Sequence, residues 1–133
     1  MNTRQDLLPI LQAVRAYVPR LILEQVLAAP DVEQAGREER FAGAVLFADV
    51  SGFTAMSESL AQLGKEGAEE LTRVLNRYFS TMIEIVEQFD GQVIKFGGDA
   101  ITCAFISDDA QGEGVLRAGA CGLAMAAGRS SCG

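Results

Sequence analysis

Between residues 41 and 106 the spacing of apolar residues switches from strand to helix and back again, which restricts the fold more than any other feature of the chain. Phe41 to Ala48 is rich in the β-branched and aromatic types that strands favour, and its apolar run reads as a fully buried strand. From Ala68 the period becomes helical, and Leu71, Leu75, Tyr78, Met82, Val86 and Phe89 fall on one stripe. Asp90-Gly91 closes that helix. Gln92 to Phe96 and Ala100 to Ile106 then read as two short strands around Gly97-Gly98, a pair suited to a hairpin turn. A strand, a helical crossover and a hairpin are how a ferredoxin-like sheet begins, so the expected class is α+β with helices on one sheet face.

The remaining segments fit around this unit. Gln5 to Ala28 reads as helical through Leu7, Leu8, Leu11, Val14 and Val18, with Pro19 breaking it into two pieces. Pro30 to Arg40 is polar and acidic, giving a helical extension and linker over 1–40 ahead of a domain over 41–133. Phe53 to Ala61 is a short helix and Gly64 to Gly67 a break. Glu69 and Glu70 are then expected in the first turn of the long helix, where its dipole favours negative charge. Gly114 to Ala127 is a last, alanine-rich helix. A ferredoxin-like sheet calls for one more strand after it, which the final residues do not supply, so 41–133 reads as a partial domain.

Composition removes several kinds of chemistry. The chain has 133 residues, 49% hydrophobic and 22% charged, as expected of a globular protein with a real core. No apolar run approaches the roughly 20 residues of a membrane span, and the start lacks the pattern of a secretory signal, so a cytoplasmic location is expected. There is no histidine, and Cys103, Cys121 and Cys132 form no CxxC pair. That argues against a zinc site, a disulfide framework and the Ser-His or Cys-His nucleophile pairs. Cys103 and Cys121 read as small core residues. A net charge of −7 disfavours a broad nucleic-acid face but not one phosphorylated ligand held by metal ions.

Two carboxylates stand out against this background. Asp49 closes the first strand, and Asp99 opens the third after Gly97-Gly98. In a ferredoxin-like sheet the third strand lies between the first and second and runs antiparallel to both, so the two aspartates meet. At ~4 Å and an effective dielectric of about 20, their repulsion is roughly 4 kcal/mol. A shared proton or divalent cations must offset it, and hard oxygen ligands suit Mg²⁺, which usually arrives with phosphates. Gly52 lets backbone approach a ligand, the next helix aims its first amides at the same place, and Ser51 and Thr54 can cap those amides or touch phosphate oxygens. Taken singly, each has a plainer reading: Asp49 as a helix cap, Asp99 as a turn aspartate, Lys95 as an edge-strand lysine reaching water.

The segments Phe47-Ala48-Asp49-Val50-Ser51-Gly52-Phe53-Thr54 and Lys95-Phe96-Gly97-Gly98-Asp99-Ala100 resemble the two signature segments of class III adenylyl/guanylyl cyclases. Leu75-Asn76-Arg77-Tyr78-Phe79 resembles the helix between them, and the segment from Ala16 through Pro19 and Arg20 is similar to the leading extension of the soluble-adenylyl-cyclase-like branch. The resemblance implies two Mg²⁺ or Mn²⁺ ions on Asp49, Asp99 and the carbonyl of Val50. It implies phosphate contacts from Ser51, Gly52, Phe53 and Thr54, and conversion of ATP into 3′,5′-cyclic AMP and pyrophosphate. Lys95 matches the purine-reading position, where lysine goes with adenine, or a regulatory anion pocket of a first cyclase domain.

The family also uses an asparagine and an arginine beyond the second signature, for which this sequence has no match, and a second domain to complete each site. The expected protein is therefore the metal-binding part of an adenylate cyclase, inactive alone. The alternative is a silent regulatory module that binds a small anion or nucleotide through Lys95. A diguanylate cyclase, which Gly97-Gly98-Asp99 also resembles, ranks lower because Ala100-Ile101 replaces its acidic-aromatic continuation.

Overall fold

In a computed structural model of the chain, the described residues are 9–10, 13, 18–28, 36, 38–108 and 112–128. They fall into two units, Met1–Arg40 and Phe41–Gly133. In the first, helix α1 spans Arg20–Ala28. It starts directly after Pro19, whose carbonyl accepts from Leu23 N–H at 3.1 Å and whose missing N–H costs nothing there. Leu7, Leu8, Leu11 and Val14 lie outside the described residues.

The second unit runs β1 (Gly43–Asp49), α2 (Phe53–Ala61), α3 (Lys65–Gln88), β2 (Gln92–Gly97), β3 (Ala100–Ile106) and α4 (Glu113–Gly128). Its sheet has the order β1-β3-β2, with β3 antiparallel to both neighbours. This is the ferredoxin-like arrangement expected from the strand–helix–hairpin succession. Helices α3 and α4 cover one face. Ile101, Cys103 and Phe105 of β3 pack there against Met82 and Val86 of α3 and Ala118, Cys121 and Met125 of α4. Burying Ile101, Phe105, Met82, Val86 and Met125 stabilises by roughly 1.5–3 kcal/mol each. Among the described residues no helix is long and apolar enough to cross a membrane.

Four local expectations need correcting. The first strand is buried on one side only: Ala44, Leu46 and Ala48 face the helices, while Val45 and Phe47 are 73% and 67% exposed on the other side. Helices cover a single face of this sheet, so alternation replaces full burial. Gly64–Gly67 is not a break throughout, because α3 begins at Lys65. Gly67 lies inside its first turn, where a Cβ would stand 1.7 Å from the Leu60 carbonyl oxygen. The residue is glycine for close passage of α2, not for ending a helix. As a result Glu66, rather than Glu69 or Glu70, occupies the first turn. Finally, the hairpin turn is Gly98-Asp99, since Gly97 is already paired with Ala100. Gly98 takes the positive φ of 68° that the turn requires.

Candidate functional site

The sheet register assembles the site. Asp49, the last residue of β1, lies opposite Ala100, the first of β3. Asp99 immediately precedes Ala100 in the hairpin turn, so strand spacing puts the two aspartate Cα atoms on the order of 6 Å apart. Asp49 is exposed and Asp99 half-buried. Asp49 shares the uncovered sheet face with Phe47 and Val45, because alternate residues of a strand point the same way. Two carboxylates that water still reaches repel less than a buried pair, yet their closeness favours a cation between them.

The loop after β1 turns sharply into α2. Gly52 is the N-cap of α2, at φ 84° and ψ 3°, a left-handed conformation that glycine adopts without strain. Being glycine, the N-cap residue itself offers no side chain to the first amides. The Thr54 carbonyl accepts from the Ser57 hydroxyl at 2.8 Å, and the Gly52 carbonyl accepts from Met56 N–H at 3.1 Å. The amides of the first turn, including Phe53 and Thr54, stay directed at whatever lies beyond Gly52. Val50 joins the strand to this turn, leaving the Val50 carbonyl next to Asp49 in the chain.

Lys95 is exposed on the edge strand β2, opposite Thr102, which in turn faces Phe47. It shares the uncovered face but lies two paired rows along and two strands across from Asp49. Sheet geometry makes that separation roughly 12 Å between Cα atoms, and among the described residues the two form no ion pair. The structure thus brings Asp49, Asp99 and the Ser51–Thr54 loop together and holds Lys95 apart.

Sequence reasoning missed that Val45 and Phe47 line the bare sheet face. The alternation in Ala44-Val45-Leu46-Phe47-Ala48 is masked because both sets of alternate residues are apolar. It also missed Arg117, a half-buried residue of α4 with no motif around it. Its guanidinium donates to the carbonyls of Ile106 at 2.6 Å and Asp90 at 3.0 Å, tying the ends of β3 and α3 to α4. Cys103 and Cys121 are buried as expected, and burial pushes the Cys103 thiol up to about 12.

A family model for the adenylate and guanylate cyclase catalytic domain matches residues 37–131. Adenylate cyclase type 10 of Oryctolagus cuniculus is 40% identical over 105 residues, covering 76% of this chain and 6% of that protein. Adenylate cyclase type 10 of Rattus norvegicus is 48% identical over 63 residues, 46% of this chain and 4% of that one. Among solved structures, the adenylyl cyclase CyaB from P. aeruginosa superposes with a TM-score of 0.51 at 35% identity, covering 61% of this chain and 39% of that one. The guanylyl cyclase Cya2 gives 0.51 at 37%, covering 61% and 38%. The chain thus spans only a small part of the curated relatives it matches.

Proposed function

The chain belongs to the adenylate and guanylate cyclase catalytic-domain family, and from that membership we propose that residues 41–133 supply the carboxylate side of an adenylate cyclase site. The reaction is conversion of ATP into 3′,5′-cyclic AMP and pyrophosphate. The observation that carries this reading is the pairing of Asp49 with Ala100, which sets the backbone of Asp99 beside Asp49 at one end of the sheet.

The donor set fits a hard divalent cation: two carboxylates and a main-chain carbonyl, with no nitrogen or sulfur ligand. Two Mg²⁺ or Mn²⁺ ions, when bound, would supply neutralisation of the triphosphate and activation of the ribose 3′-hydroxyl. Asp49, Asp99 and the Val50 carbonyl would hold them. Ser51 to Thr54 would receive phosphate oxygens, because Gly52 brings backbone close without a Cβ and the first turn of α2 directs its amides there. Asp49 and Asp99 thereby also orient the substrate, which is where most of the advantage in such reactions lies.

The bare face bearing Val45 and Phe47 is one wall of a site. A second cyclase domain, from a longer chain or a second copy, would be the other wall. Lys95, which lies two strands across from Asp49 and is not paired with it, would read the purine of the opposite site. Its isolation also favours the second reading, a regulatory module in which Lys95 holds a small anion such as bicarbonate. The expected cytoplasmic setting accords with an ATP substrate and with free, buried Cys103 and Cys121.

Calorimetric titration of the 133-residue protein with ATP and Mn²⁺ separates these readings. Weak, saturable binding that falls by roughly tenfold or more in Asp49→Ala supports the enzyme half. Binding indifferent to Asp49→Ala but lost in Lys95→Ala overturns it in favour of the module.

A further inference from the structure

A cavity of about 240 Å³ lies along α3 in the helical layer, away from the bare sheet face. Val74, Tyr78 and Met82 form its apolar floor, and Arg73 and Arg77 stand at its exposed rim, near the end of α4 at Gly128. The two guanidiniums differ. Arg73 is paired with Glu70 at 2.6 Å. Arg77 has no ion pair or side-chain hydrogen bond among the described residues; only its carbonyl is engaged, accepting from the Thr81 hydroxyl at 3.0 Å. The lining therefore carries two cations and one anion, Glu70, in a chain whose net charge is −7.

A free guanidinium at the rim of an apolar hollow fits one kind of occupant: an anionic group with a hydrophobic body. We propose that this cavity binds a small organic carboxylate, with the carboxylate on Arg77 in the forked geometry that guanidinium favours and the apolar body on Tyr78, Val74 and Met82. A bare inorganic anion leaves the apolar floor wet, and a neutral ring leaves Arg77 unpaired, so neither satisfies the whole lining. The site is independent of the cyclase reading, because it uses none of Asp49, Asp99 or Lys95.

Benzoate is the probe, followed through amide NMR shifts of the full 133-residue chain. The expected result is saturable shifts confined to residues 70–82 and the end of α4. Arg77→Ala weakens affinity by roughly tenfold, the size of one partly exposed charge-assisted contact. Acetate and benzyl alcohol, each lacking half of the complementarity, bind about tenfold more weakly than benzoate. Arg77 is exposed, so the variant keeps the parent spectrum, and Arg77→Gln serves as a second test if it does not. Absence of saturation, shifts clustered around Val45 and Phe47, or unchanged affinity in Arg77→Ala would each overturn the proposal.

Discussion

Gly67 and Gly98 are both glycines for backbone reasons, and substitution separates the two. At Gly67 a Cβ would collide with the Leu60 carbonyl 1.7 Å away, a main-chain atom that cannot swing aside. Gly67→Ala should cost about 1–3 kcal/mol and lower the melting temperature by several degrees. Gly98→Ala meets open space and pays only for its φ of 68°, about 1 kcal/mol. Cys103 yields a pH prediction. Its folded-state pKa of about 12 stands above the ordinary value of 9.0, so stability is fully present below pH 9. As pH rises from 9 toward 12 the unfolded chain gives up this proton while the folded chain keeps it, and stability falls. Urea titrations at pH 8 and 10 check the sign, and Cys103→Ala should flatten the difference. At this scale the sequence was legible where chemistry sets residue type, as in the buried cysteines. It was illegible at Gly67, because close passage of another backbone leaves no local mark.

Elements were read correctly wherever a single period ran long. The stripe of α3 from Leu71 to Phe89 and the apolar run of β3 follow from their spacing. Boundaries slipped where glycine had two uses: Gly97 ended up inside β2 and Gly67 inside α3. Strand β1 was misjudged because Val45 and Phe47 are as apolar as Leu46 yet face outward. That excess suggests a test. Phe47→Ser should change the unfolding free energy by no more than about 0.5 kcal/mol, as for a surface position, while reducing association between cyclase domains measured by sedimentation. Arg117 is the opposite case, half-buried and bonded to the carbonyls of Ile106 and Asp90. Arg117→Leu strands both acceptors and should cost about 1–3 kcal/mol by thermal melting.

For the molecule as a whole, the order β1-β3-β2 places two aspartates fifty residues apart in the chain at one sheet edge. Their meeting was legible in advance because the ferredoxin-like topology dictates it; the isolation of Lys95 was not, since it depends on register. The 133-residue polypeptide, assayed alone with ATP and Mn²⁺, should form no cyclic AMP, because the bare sheet face beside Asp49 offers only one wall. Mn²⁺ itself tests the central claim most directly, since its paramagnetism erases NMR signals close to wherever it binds. The account predicts loss of the amide signals of Asp49 to Thr54 and Gly98 to Ala100 at substoichiometric Mn²⁺, with recovery in Asp49→Ala. Signal loss confined to other acidic stretches, such as Glu66 to Glu70, would contradict it.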